Sequence, residues 1–185
     1  MLDSSKPEAL LDRALAAVED ESTFHAEIDT LRVPIYTADA DGRITFWNQA
    51  CVDFAGREPQ LGEDRWCVTW RLFTLDGDPL PHDQCPMAKA IREQRSIRSE
   101  VAIAMRPNGS RVAFRPYPTP IFDESGLFKG AINILIDISD EQAEVLQEQA
   151  ARCRRLANST DDLSARDILR SMAAGYDESA DSLRG

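Results

Sequence analysis

The spacing of apolar and polar positions changes character three times along the chain. Over residues 7–31 it is helical. Pro7 suits a first turn, Leu11, Leu15 and Val18 recur on one face, and Phe24, Ile28 and Leu31 take up a similar face after a break near Asp20-Glu21-Ser22. Over residues 33–139 the dominant period is two. Residues 37–48 predict a strand, a two-residue turn at Asp41-Gly42 and a second strand, with Tyr36, Ile44 and Phe46 alternating with polar neighbours. Asn48 stands where this strand gives way to a helix, a position that favours a capping side chain. After a helical middle, three longer strands are predicted near 97–105, 111–122 and 127–138, separated by the turn sequences Arg106-Pro107-Asn108-Gly109 and Asp123-Glu124-Ser125-Gly126.

From Ser139 the period becomes helical again. Ser139 is the expected cap, Asp140 and Glu141 suit the first turn, and Leu146, Ala150, Cys153 and Ala157 share a face. A polar break at 158–162 precedes a second amphipathic segment, with Leu169, Met172, Tyr176, Ala180 and Leu183 in line and Ser164 and Asp167 as a variant capping box. Two helices joined this closely predict a helical hairpin. Five strands with helices inserted after the second describe an α+β fold with a mainly antiparallel sheet. The chain divides into an N-terminal helical flank (1–31), a central domain (32–139) and a C-terminal helical extension (140–185).

Charge narrows the partners. The 185 residues carry 32 Asp and Glu against 21 Lys and Arg, a formal net charge of -11. That balance disfavours nucleic acid and anionic membrane surfaces, which need clustered cations. No apolar run is long enough to span a bilayer, and the first residues lack the pattern of a signal peptide, so a soluble cytoplasmic protein is expected. Four widely spaced cysteines with no CxxC pair predict reduced thiols.

Residues 30–142 resemble a PAS sensor domain, in the subtype that reads Trp66-Cys67, Trp70-Arg71-Leu72-Phe73, Asp76-Gly77, Pro79-Leu80-Pro81-His82-Asp83 and Cys85-Pro86-Met87-Ala88 before a helix to Arg95. Arg106-Pro107-Asn108-Gly109-Ser110 is similar to that family's Arg-Pro-Asp-Gly-Thr hairpin, and Asp137-Ile138-Ser139-Asp140-Glu141 to its Asp-Ile-Thr-Asp/Glu ending. The order of these motifs is more specific than any one of them. The resemblance implies a PAS fold: a five-stranded antiparallel sheet with helices on one face enclosing a small pocket. About forty-five residues follow Ser139, too few for a kinase module, and no phosphoacceptor helix or Gly-rich nucleotide loop is present. A stand-alone, non-enzymatic bacterial regulator is therefore expected. It would act by binding a partner such as a histidine kinase or another signalling enzyme, in a two-component or second-messenger circuit.

Several residues invite a chemical reading. Cys67, His82 and Cys85 are soft ligands suited to zinc or haem iron, with Asp83 as a fourth, and Cys85-Pro86 has the form of a haem-responsive motif. The plainer reading is a pair of buried thiols, a loop histidine bonding backbone, and Pro86 opening a helix. Haem-binding relatives place an axial His on that helix or the next strand, and residues 86–105 contain none. The light-oxygen-voltage branch needs an Asn-Cys-Arg-Phe-Leu-Gln motif, which is absent, so a photoactive flavin is not expected. Asp39 with Asp41 and Asp161 with Asp162 read as turn residues.

An apolar ligand pocket is the less exotic alternative. Its candidate lining comprises Trp66, Trp70, Phe73, Leu80, Met87 and Ile91 from the helical middle, and Ile103, Phe114, Tyr117, Ile132 and Ile134 from the long strands, with Asn48, Arg71 and Arg115 as polar groups. The competing outcome is that these side chains pack on one another and leave no void. The flanks carry apolar stripes that need cover. A homodimer through Leu11, Leu15, Val18, Phe24 and Ile28 is expected, while Leu146, Leu169, Met172 and Tyr176 mark the hairpin as an output surface or a lid over the sheet. The favoured function is a ligand- or assembly-sensing signalling module. The alternative is a haem- or metal-dependent redox sensor using Cys85 and His82.

Overall fold

The structure is a computed structural model that describes residues 7–18 and 28–184. Within them the chain forms α1 (Pro7–Val18), β1 (Ile35–Asp39), β2 (Ile44–Trp47), α2 (Gln49–Ala55) and β3 (Arg71–Phe73). A 3-10 turn (His82–Gln84) leads into α3 (Pro86–Glu93), followed by β4 (Ala102–Met105), β5 (Arg111–Pro116), β6 (Thr119–Phe122) and β7 (Phe128–Asp137). Two long helices, α4 (Ser139–Ser159) and α5 (Leu163–Arg184), complete it. The sheet order is β2-β1-β7-β5-β4-β3, with β6 also pairing β7, and every pairing is antiparallel.

Seven strands stand where five were expected, for two local reasons. The run 111–122 is broken at Tyr117-Pro118, since proline offers no N–H to the ladder. Both parts still pair with β7, β5 at its C-terminal end and β6 further back. Residues 71–73, expected within a helical middle, instead pair with β4 as an edge strand.

The loops share one chemistry. In the 39–43, 74–78, 106–110 and 123–127 hairpins the first residue's N–H donates to the fifth residue's carbonyl, and the fourth residue, a glycine, donates to the first residue's carbonyl. These are three-residue loops closed by a left-handed glycine, not the two-residue turn expected at Asp41-Gly42. Asp39 Oδ1 accepts the N–H groups of Asp41 and Arg43 at 2.9 and 2.8 Å, and Asp123 Oδ1 does the same for Ser125 and Leu127. Between β1 and β2 the pairing passes from Thr37↔Phe46 to Ala38↔Ile44, so Thr45 is bulged out. That one extra residue sends Ile44 to one face of the sheet and Phe46 to the other.

The sheet is covered on both faces. Against the inner face pack α2, α3 and the loop 56–70, around Tyr36, Val68, Met87, Phe114 and Leu135. Against the outer face of β1, β2 and β7 lie Leu10, Leu11 and Ala14 of α1, with Ile28 and Leu31. The remaining outer surface, at Ile103 and Ala113, is covered by Ala143 of α4 and Ala180 and Leu183 of α5. Asn48 fastens the N-terminal flank. It stands at the N-cap of α2 but makes no side-chain cap bond there. Instead Ile35 N–H donates to its Oδ1 at 3.0 Å, and its Nδ2 donates to the carbonyls of Val33, Leu31 and Ile28 at 2.9, 3.3 and 3.4 Å.

The long helices pack antiparallel through Ala143, Leu146, Ala150, Cys153 and Ala157 on α4 and Leu169, Ala173, Tyr176, Ala180 and Leu183 on α5. Their alternating three- and four-residue spacing is that of a two-helix seam. The expected caps move. Asp137 Oδ1, not Ser139, accepts the first N–H of α4 at 2.8 Å, and Asp162 Oδ1 accepts the N–H groups of Ser164 and Ala165 at 2.9 and 3.1 Å.

Candidate functional site

The local chemistry of the sheet's inner face is dominated by a buried polar chain. Tyr36, fully buried, donates its hydroxyl proton to the Trp66 carbonyl at 3.0 Å and accepts Asn133 Nδ2–H at 3.0 Å. Asn133 Oδ1 in turn accepts Tyr117 N–H at 2.9 Å. Every polar atom of this chain is therefore satisfied, as burial demands. Burial, with Cys67 and Cys85 nearby, raises the Tyr36 hydroxyl well above its ordinary range.

Three thiols border the same chamber. Burial pushes Cys51 and Cys85 up to about 12 and raises Cys67 as well. Burial therefore favours the neutral thiol at all three positions. Their sulfurs bond locally, Cys51 to the Ile35 carbonyl at 3.3 Å and Cys67 with Thr69 Oγ1 at 3.2 Å. His82 lies in the 3-10 turn, its pKa lowered by burial against the opposing pull of Asp64, and its Nε2 has no hydrogen-bond partner among the described residues. Among the described residues no cluster of three His, Cys, Asp or Glu side chains is arranged to hold a metal ion.

Trp66 ties the first hairpin to the chamber. Its own backbone lies at φ 69, its N–H donates to the Gly42 carbonyl at 2.8 Å, and its carbonyl receives the Tyr36 hydroxyl. The indole lies directly over Gly42, where a β-carbon would come within 2.1 Å of the ring. Trp66, Leu80, Met87, Ile91 and Phe114 are the expected lining residues that the structure brings together, and Phe54 meets Phe114 edge to face at 5.4 Å.

The other expected lining residues lie elsewhere, and strand register is the reason. On β7 it is Ala131, Asn133 and Leu135 that face inward, so Ile132 and Ile134 pack on the outer face with Tyr117 under the N-terminal flank. Ile103 and Phe73 face outward toward the helical hairpin. Trp70 is 40% exposed, with the Arg71 guanidinium stacked 4.3 Å from its ring centroid. Arg115 reaches Glu141 of α4 at 3.3 Å, and Asn48 serves the flank as described. Tyr36 and Asn133 were absent from the expected lining. The signal for them was a lone amide inside the apolar run 131–136 and a tyrosine on the paired strand.

The flanks divide similarly. Leu11 and Ile28 are buried on the chain's own sheet and Leu15 packs beside them, while Phe24 and the Val18 side chain lie outside the described residues. In the hairpin, Leu146 faces the sheet and Leu169 and Tyr176 face α4, leaving Met172 exposed. The junction between sheet and hairpin is closely bonded. Ala113 N–H donates to Ser139 Oγ at 3.1 Å, and a cleft of about 590 Å³ runs between Arg106, Arg111, Asp137, Glu141 and Arg184.

A five-strand antiparallel frame enlarged by a split strand and an edge strand, with a helix-covered inner chamber and helices leaving from its central strand, defines a sensor-type α+β domain. The family described as the PAS fold matches residues 28–143, more than half of the chain, and the protein belongs to that family. Among solved structures it is similar to the LOV protein of Rhodobacter sphaeroides, at 15% identity and a TM-score of 0.50, over 92% of this chain and 99% of that one. The light-state dimer of the fungal blue-light photoreceptor Vivid aligns at 17% identity and a TM-score of 0.46, over 66% and 90% of the two chains. The LOV domain of a blue-light activated histidine kinase from Erythrobacter litoralis aligns at 19% and 0.45, over 58% and 97%. No curated protein matches the chain.

Tyr36, Met87, Phe114 and Leu135 belong to one packed cluster on the inner face, and the Tyr36 hydroxyl and the Asn133 amide are bonded to protein.

Proposed function

We propose that this PAS-family protein is a non-enzymatic cytoplasmic signalling module that converts occupancy or repacking of its inner chamber into a change at the α4–α5 hairpin. The ligand class is small and apolar, matched to the aromatic and aliphatic surface around Met87 and Phe114. The receiver is a protein partner such as a histidine kinase, within a two-component or second-messenger circuit.

One observation carries the reading: β4 and β5 belong to both surfaces at once. Ala102, Ala104 and Phe114 face the chamber, and the alternate residues Ile103 and Ala113 face Ala143, Ala180 and Leu183 of the hairpin. Packed interiors transmit displacement because they contain no slack, so a shift of one face moves the other. Among the described residues no helix is long and apolar enough to cross a membrane.

Hydrogen exchange on Met87→Ala tests this. Met87 is on α3, in the chamber core and outside the hairpin's core. Exchange across residues 140–184 should accelerate severalfold. A Leu10→Ala variant of matched thermal stability, altered on the outer face, should leave it unchanged. Loosening confined to the chamber, or equal loosening in both variants, would sink the proposal.

A further inference from the structure

Four element ends meet where the sheet joins the hairpin. Arg111 opens β5, Asp137 closes β7, Asp140 lies in the first turn of α4, and Arg184 closes α5. All four line the cleft of about 590 Å³ at that junction. Ile138 and Leu183, buried members of the core beneath the hairpin, give it an apolar wall. Its charges are balanced: Arg106 and Glu141 complete a set of three arginines and three carboxylates.

Two of the six charges are already engaged. Arg106 donates from Nε to the Phe54 carbonyl at 2.8 Å and from Nη1 to Ser110 Oγ at 3.2 Å, while Glu141 accepts from Arg115 at 3.3 Å. The other four share the cleft and yet, among the described residues, enter no ion pair. The Arg111 guanidinium is steadied by the Phe73 ring, 5.2 Å from its centroid, which leaves its N–H groups to be satisfied from the cleft. Asp137 gives one oxygen to the Ser139 N–H, and its Oδ2 accepts no hydrogen bond among the described residues. Opposite charges that line one cavity without meeting leave room for a ligand between them. A simple anion would gain two arginines and face two carboxylates, and a simple cation would meet the reverse. A ligand carrying both signs finds a complement at each end. Arginine's planar fork suits a carboxylate, a carboxylate suits an ammonium group, and the volume is that of a small-molecule site, ~300–1,000 Å³.

We propose that this cleft is a second ligand site, which takes a zwitterion bearing a terminal ammonium and a terminal carboxylate: a free amino acid or a short peptide. Arg111 and Arg184 hold the carboxylate, and Asp137 and Asp140 hold the ammonium. Two of these residues belong to the sheet and one to each helix of the hairpin. An occupant therefore ties the hairpin to the sheet from outside. None of the four belongs to the inner core, so the site stands or falls separately from the signalling reading.

Titration calorimetry of the full chain with glycine, diglycine and triglycine tests the site, and the length that binds distinguishes amino acid from peptide. At least one of the three should bind saturably. Its N-acetylated and C-amidated forms, each stripped of one charge, should bind at least about tenfold more weakly. Arg111→Gln and Asp140→Asn, checked by circular dichroism to be folded, should weaken binding to a similar degree. Arg152→Gln, which lies outside the cleft, should not. With the probe at saturation, hydrogen exchange over residues 176–184 should slow severalfold. Absence of saturable binding by all three probes overturns the site. Equal binding of either blocked form reduces it to a site for a single sign of charge and overturns the zwitterion, and binding indifferent to both Arg111→Gln and Asp140→Asn overturns the location.

Discussion

At Gly42 the backbone sits at φ 83 and the Trp66 ring occupies the place of a β-carbon, so two separate constraints exclude a side chain. Gly77 supplies the comparison, since it closes an equivalent loop at φ 89 and a β-carbon there would meet none of the described residues within 4 Å. Alanine at Gly77 should cost about 1 kcal/mol, the left-handed backbone alone. Alanine at Gly42 adds displacement of a packed indole, for a loss of about 3 kcal/mol. Urea denaturation with unchanged m-values measures both. Equal losses would mean that Trp66 moves aside freely and does not fasten the hairpin to the chamber.

At the scale of the element, the α1 stripe shows how amphipathicity is read correctly while its partner is not. The spacing of Leu11 and Leu15 announces a helix with one apolar face, but a face is silent on whether sheet or second copy covers it. Here the sheet does. Leu11→Ala should therefore cost about 2–4 kcal/mol in chemical denaturation and leave the solution mass unaltered; a changed mass would return α1 to the interface. The same logic explains the strands. The Gly-closed loops were legible because their chemistry is local, while the helix caps moved to Asp137 and Asp162. The lining of the chamber was not, because β7 is apolar on both faces and one bulged residue at Thr45 separates Ile44 from Phe46. Asn133 was the readable exception: an amide within 131–136 has to find partners, and Tyr36 and the Tyr117 N–H are those partners.

For the molecule as a whole, the sheet is a wall with the inner core on one side and the hairpin's last turn on the other. Met87 and Leu183 belong to different cores and share no cluster. If the wall were inert, their substitutions would add within about 0.3–0.5 kcal/mol, as distant sites do. If β4 and β5 carry strain from face to face, Met87→Ala relaxes the strands and changes what Leu183 gains by docking on them. A double-mutant cycle of Met87→Ala and Leu183→Ala, read by urea denaturation, should then show a coupling larger than about 0.5 kcal/mol. Leu10→Ala, on the outer face but over β1 and β7, should show none with Leu183→Ala. An additive Met87–Leu183 cycle would leave the hairpin attached to the domain without being informed by it, and the route from chamber to partner would have to be sought elsewhere.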